Sequence, residues 1–417
     1  MSSAVIVLYN VLLLFALVVA APLWLVWLAG STRLRRGFAE RLRPLGAGRP
    51  GGVWLHAASV GEVEAAAPLL DALVERGVPV IATTLTATGR ERLRARQPGL
   101  RVRLAPLDLP GLVHLSLLRA RVAVVVLVET EIWPNLIWAA RARGCEVAIV
   151  SGRISDASFP TYRRLGFLFG RVLRRTSRIA ARSPEDRDRF RALGVPVERV
   201  TVGGDLKLDR APAPPPDAAL REALGPGPFL LGGSTHPGEE EALLRAFCEL
   251  RAEAPELRLI LAPRHPERAA QVSATARRSG LSVGLRSEGA AGHPVVVLDT
   301  LGELGSLYAL ADLVFAGGTL APVGGHNLVE PVQAGRVVVH GPHLENQRSQ
   351  ARLLEPLGVL HRIDGAAQLS ETLRLLWADP QRNLPAARAG KSLEAHRGAT
   401  ARALELLLEL RRRKLDA

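Results

Sequence analysis

Apolar residues are spaced along this chain in three ways, and each predicts a different element. From Ala4 to Gly30 (AVIVLYNVLLLFALVVAAPLWLVWLAG) no side chain is charged. At 1.5 Å rise per residue, a helix over this run spans roughly 30 Å of hydrocarbon. Trp24 and Trp27 stand near one end, where an interfacial belt belongs. Short unbroken apolar runs such as VAVVVLVE (122–129) and CEVAIVSG (145–152) carry no alternation, the mark of parallel strands covered on both faces. Between such runs, helical spacing predicts helices over 63–76, 86–96 and 160–174.

Strands are expected at VWLHAA, VPVIATTL (78–85), VRLAPLD, 122–129, 145–152 and SRIAARS (177–183). The Pro-rich stretch APAPPPDAA (211–219) interrupts the alternation and reads as a connection near 205–220. Beyond it, strands recur at 229–234, 257–264, 295–300, 312–318 and 336–341. Strands alternating with helices predict two doubly wound α/β domains, both Rossmann-like, with ligands at the C-terminal ends of the strands and across a cleft. The expected order is an anchor over 1–30, a first domain over 31–208 and a second over 209–390. A basic amphipathic helix over 391–417 ends in RRRK and either packs on the first domain or the membrane, or stays solvated.

Charge narrows the partners. The net charge is +14, and nearly all the cations are arginine, with lysines only at Lys207, Lys391 and Lys414. That balance favours phosphates or an anionic membrane face. No basic stretch is interleaved with aromatic residues as a base-stacking surface requires, so nucleic acid is not the expected partner. Arg33, Arg35, Arg36, Arg41 and Arg43 follow the apolar run, which by the positive-inside rule keeps the remainder of the chain cytoplasmic. A cleaved signal peptide fits less well: no basic residue precedes the run, and the run is too long. The two cysteines, Cys145 and Cys248, form no disulfide framework or zinc spacing.

Residues just after the strands are the candidates for chemistry. In HAASVGEVEAA (56–66), Glu62 opens a helix beside Gly61; it serves either the helix dipole or as a general base kept ionised there. ETEIWPNL (129–136) places Glu129 and Glu131 after the most apolar strand. SGRISDASFPTYRRL (151–165) adds Arg153, Arg163 and Arg164, suited to an acceptor phosphate. In the second domain, GGSTHPGEEE (232–241) carries Ser234 and Thr235 at a turn able to cradle phosphate, and APRHPER (262–268) carries Arg264 and His265. In FAGGTLAPVGGHNLVEPVQAG (315–335), Gly324 and Gly325 precede a helix expected to start near His326–Asn327. Their amides read as bare donors for an anion, and Glu330 as an acceptor for a ribose diol. Neither a Walker A loop nor GxGxxG is present.

Taken together, HAASVGEVEAA, TTLTATGRE, PLDLP, ETEIWPNLI, SGRISDASFPTYRR, GGDLKLD, GGSTHPGEEE, APRHPER and GGTLAPVGGHNLVEP resemble the 3-deoxy-D-manno-octulosonic acid (Kdo) transferases of lipopolysaccharide synthesis, in the same order across nearly the whole chain. The resemblance implies a GT-B glycosyltransferase at the bacterial inner membrane, anchored once and working on the cytoplasmic face. It implies transfer of Kdo from CMP-Kdo to a lipid A precursor (lipid IVA), with inversion, no metal and no cofactor. It puts the catalytic base on Glu62 and a supporting role on Glu129 and Glu131. The nucleotide half falls on Ser234, Thr235, Arg264, His265, Gly324, Gly325, Asn327 and Glu330, with Lys207 near the hinge. The readings set against it are a membrane-associated GT-B enzyme using a UDP-sugar and a non-catalytic binding protein on the same fold.

Overall fold

A computed structural model describes residues 2–22, 32–210 and 212–416. The chain divides into two units, Met1–Arg210 with His396–Ala417, and Ala211–Ala395.

In the first unit the strands are β1 (Gly52–His56), β2 (Val80–Thr84), β3 (Arg101–Leu104), β4 (Val122–Val128), β5 (Glu146–Gly152), β6 (Arg178–Ala181) and β7 (Val200–Val202). They form one parallel sheet in the order β3-β2-β1-β4-β5-β6-β7. All seven residues of β4 are buried, as a central strand covered on both faces requires. The pleat sends Val53 and Leu55 to one face and Trp54 to the other. On the first face the helix Val60–Glu75 supplies Val63, Ala66, Leu69, Leu70 and Leu73. The chain's last helix, Ala399–Leu415, adds Ala403, Leu407 and Leu410 to the same core. Each of these Val and Leu side chains contributes about 1.5–3 kcal/mol on burial. On the other face Leu127, Ile137, Ile149 and Phe190 close a second core.

The second unit repeats the plan. Its strands are β8 (Phe229–Thr235), β9 (Arg258–Pro263), β10 (Val283–Leu285), β11 (Val295–Val297), β12 (Leu313–Ala316), β13 (Val338–His340) and β14 (Leu360–Arg362). All are parallel, in the order β10-β11-β9-β8-β12-β13-β14.

Several expectations need correcting. The strands β7, β10 and β14 have no counterpart in the sequence reading; each is a short edge strand not buried along its whole length, so none leaves an unbroken apolar run. The helix expected over 160–174 is two, Phe159–Arg164 and Gly166–Leu173, which meet at Leu165. The terminal helix is also two, Leu384–Glu394 and Ala399–Leu415. Gly398 breaks it at φ +97°, a left-handed conformation glycine adopts freely. Asp209 then caps the second piece, accepting from the Gly398 amide at 2.7 Å and the Thr400 amide at 2.5 Å.

At the N-terminus the helix is Ser2–Val19, and among the described residues no helix is long and apolar enough to cross a membrane. The expected spanning helix is therefore not found there. Its C-terminal part, with Trp24 and Trp27, lies outside the described residues. The helix turns Ile6, Tyr9, Asn10, Leu13 and Leu17 toward the first unit, and the Asn135 amide donates to Asn10 Oδ1 at 2.8 Å. Val7, Val11, Leu12, Phe15 and Val18 are left exposed on the other side. A water-facing helix has the opposite arrangement, polar outward.

Candidate active site

Glu62 sits in the first turn after β1. Ser59 is the N-cap of Val60–Glu75, accepting the Glu62 amide at 3.3 Å, while the Glu62 carboxylate reaches back to the Ala58 amide at 2.6 Å. These two hydrogen bonds orient the carboxylate. The sequence reading had the helix start keeping that group ionised. Instead its pKa rises from 4.5 to about 7: burial pushes it up, the Glu129 charge adds to this and Glu131 contributes further, against the Ala58 amide and Lys207. A carboxyl at this value holds and releases a proton at neutral pH, which suits a general base better than a fully ionised acid. A Cβ at Gly61 would meet nothing nearer than Ser59 Oγ at 3.9 Å, so the protein's own packing gives no reason for the glycine.

Glu129 and Glu131 lie past the end of β4 and face different partners. Glu129 is buried at φ +60°, a left-handed conformation that costs a non-glycine residue roughly 1–2 kcal/mol. The Lys207 ammonium holds it in place, with Nζ 2.7 Å from its carboxylate. Burial alone would raise the Glu129 carboxyl; Lys207, then Arg182 and Arg153, bring it below the ordinary range. Lys207, expected near a hinge, thus belongs to the acid cluster. Glu131 accepts from Trp133 Nε1 at 2.6 Å and lies 3.6 Å from His56 Nε2. Burial works against ionisation there too, and His56 and Trp133 overcome it. His56 is itself held by Thr83, whose hydroxyl also takes the Trp54 indole N–H at 2.8 Å. Arg153 is half-buried with the charges of Arg182, Glu129, Asp186 and Asp205 around it, whereas Arg163 and Arg164 are exposed.

In the second unit the acid-rich motif after β8 does something the sequence did not suggest. The Glu239 carboxylate is buried and accepts five backbone amides: His236 (2.9 Å), Gly318 (2.8 Å), Thr319 (3.0 Å), Leu320 (2.9 Å) and Ala321 (3.1 Å). It fills the nest that the turn after β12 would otherwise offer an anion. Glu240, also buried, accepts from Thr235 Oγ1 and from Arg268, both at 2.9 Å. Thr235 therefore spends its hydroxyl inside the protein, while Ser234 is half-buried at φ +55°.

Gly324 and Gly325 adopt φ +97° and +79°. A Cβ on Gly324 would stand 2.5 Å from Asn346 Nδ2, and the Gly325 amide donates to the Gly318 carbonyl at 2.7 Å, so that amide is not a bare donor. The helix that follows is shorter and later than expected, Val329–Gln333, and Asn327 Oδ1 accepts the Val329 amide at 3.0 Å. Glu330 lies in its first turn, half-buried. Arg264 and His265 are exposed after β9. Two histidines that the sequence reading passed over meet here: His236 Nε2 and His326 Nε2 are 2.8 Å apart with rings inclined by only 6°. Both stood in quoted motifs beside named candidates; only the fold shows that they touch.

Two seven-stranded parallel units with acids and cations at the strand ends define a protein of two Rossmann-like α/β domains. A glycosyltransferase from Rickettsia africae shares this fold at a TM-score of 0.59 and 11% identity, over 87% of this chain and 98% of that one. An Anabaena protein solved in complex with UDP and glucose matches at 0.58 and 14%, over 86% and 98%. Sequence is more specific. Residues 31–210 match the family model for 3-deoxy-D-manno-octulosonic-acid transferase (kdotransferase). The 3-deoxy-D-manno-octulosonic acid transferase of Bordetella pertussis is 37% identical over 93% of this chain and 96% of its own length. That of Haemophilus influenzae is 32% identical over 90% and 92%. The chain belongs to the 3-deoxy-D-manno-octulosonic acid transferase family. It is a glycosyltransferase, and the sugar it moves is Kdo.

Proposed function

We propose that the chain transfers Kdo from CMP-Kdo to a hydroxyl of a lipid A precursor, at the cytoplasmic face of the bacterial inner membrane, with Glu62 as general base. The observation that carries the reading is the Glu62 carboxyl, held by the Ala58 amide just past the end of β1 and raised to about 7 by burial and two neighbouring carboxylates. In the reaction Glu62 takes the acceptor hydroxyl proton as that oxygen bonds to the anomeric carbon. The bond from that carbon to the CMP phosphate breaks, and its electron pair leaves on the phosphate. The phosphate is already acidic, so the leaving group needs no strong general acid. Glu129 and Glu131 keep the surroundings of Glu62 negative, which favours the positive charge building on the sugar. In the second unit Arg264 stabilises the departing phosphate, and Glu330 takes the ribose.

The acceptor is a lipid, and the exposed apolar side of the helix Ser2–Val19 suits a bilayer surface. Arg163 and Arg164, also exposed on the first unit, suit the phosphates of such an acceptor.

Incubation with CMP-Kdo and a tetraacyl lipid A precursor, with products weighed by mass spectrometry, tests the reading. Addition of Kdo mass by the wild type, lost in Glu62→Gln while CMP still binds, is the expected result. Near-normal turnover by Glu62→Gln overturns the base assignment. Thermal stabilisation by UDP and not by CMP overturns the donor.

A further inference from the structure

The contact between His236 and His326 is the feature the proposed mechanism leaves unused. Their Nε2 atoms are 2.8 Å apart, a hydrogen-bond distance that requires one ring to present N–H and the other a bare nitrogen. The chain makes room for it. Gly318 lies at φ +70°, and a Cβ there would stand 3.0 Å from His326 Cδ2 and 3.1 Å from its Nε2. The Glu239 carboxylate fixes the backbone on both sides, holding the His236 and Gly318 amides.

The charges around the pair define what it awaits. His236 faces Glu239, His265, Glu240 and Arg268; His326 faces Arg264, His236 and His265. The two acids are already engaged by backbone amides, Thr235 and Arg268. Arg264 and His265 are exposed beside the pair. The accessible side of the cluster is thus cationic and suited to an anion.

We propose that His236 and His326 form an anion subsite that binds the nucleotide phosphate together with one proton, His236 becoming the imidazolium while His326 stays its neutral acceptor. The proton comes from solvent and settles on the free ring nitrogen of His236; the Nε2–H of that ring donates to His326. The division of roles follows burial. His326 is driven down to about 3 by desolvation and then by Arg264 and the other histidines, and so stays neutral. His236 is lowered too, by desolvation first, but two carboxylates face it. Desolvation is the main cause that keeps the pair neutral; a phosphate brought against Arg264 and His265 offsets the repulsion those cations add and supplies a further anion for His236 to face.

The inference rests on the donor reading of this unit, and calorimetry with CMP separates the two. Binding enthalpy is measured at pH 7 in buffers of different ionisation enthalpy, and the slope gives protons taken up. CMP's own phosphate sheds protons near Arg264, a contribution common to wild type and variant, so the difference between them is what counts. Wild type is expected to take up more protons than His236→Gln, whose amide keeps the hydrogen bond to His326 but cannot titrate. The variant should bind CMP several-fold more weakly. Cytidine, without phosphate, should bind with no uptake. Equal slopes for wild type and His236→Gln, with CMP bound in both, overturn the proposal. His326→Leu removes the acceptor and should show the same loss, which keeps the test decisive if the first variant does not fold. No CMP binding by the wild type overturns the donor assignment and this inference with it.

Discussion

Replacing Glu129 by glutamine should move the acid limb of the pH–rate profile to lower pH. The Glu62 carboxyl rises from 4.5 to about 7, a change worth roughly 3 kcal/mol. Burial is the largest cause and survives the substitution. The Glu129 charge is the next largest and is abolished. The Lys207 ammonium, 2.7 Å from Glu129, loses its partner, so its pull on Glu62 is no longer offset. Both changes favour the ionised form of Glu62, so they add. The Glu129 charge ranks second to burial, so the shift should be on the order of 1 pH unit, or about 1 kcal/mol. The assay is kcat/KM for CMP-Kdo from pH 5 to 9 at saturating acceptor, with the limb fitted to one ionisation. Wild type should lose activity as pH falls through about 7, where Glu62 takes up its proton. The variant should hold its activity to lower pH but reach a lower plateau, because a weaker base removes the acceptor proton less readily. An acid limb that stays in place, or moves up, refutes the claim that Glu129 sets the base.

Glu330→Ala should raise the KM for CMP-Kdo with little change in kcat; an unchanged donor KM removes the ribose role. Glu239→Gln exchanges a carboxylate that accepts five amides for a side chain with one acceptor oxygen. Hydrogen bonds to charged groups are worth about 1.5–3 kcal/mol each, so thermal unfolding of the second unit should come clearly earlier. A melting temperature equal to wild type would show that the nest does not need its internal anion. Asp209→Ala uncaps the helix Ala399–Leu415 and should cost about 1–2 kcal/mol in urea unfolding, with activity per folded molecule retained.

The elements easiest to find in the sequence are those buried on both faces. β4 and β5 appear as apolar runs because every position of β4, and every position of β5 after Glu146, is buried. The edge strands β7, β10 and β14 have three residues each and rely on a neighbour for their pairing, so local pattern misses them. The terminal helix was placed correctly as helical but drawn as one. Its break depends on Asp209, far away in sequence, as much as on Gly398. Among site residues, Glu62 is readable because it opens a helix directly after a strand, beside Gly61. His56, Glu239, His236 and His326 were all in view as letters. Their roles come from partners across the fold: Glu131 and Thr83 for His56, the turn after β12 for Glu239, and each other for the two histidines.

By itself the sequence determined the two α/β units, the placement of acids and cations at strand ends, and the family. Those follow from hydrophobic spacing and local motifs, which depend on neighbours along the chain. Only the tertiary structure decided what the charged groups are. Glu62 is a base near neutrality, not a permanently ionised cap, and Glu129 is the acid that stays ionised because Lys207 lies against it. A carboxyl's affinity for its proton is set by the water it has lost and by every charge brought near it, and both quantities exist only once the chain has folded.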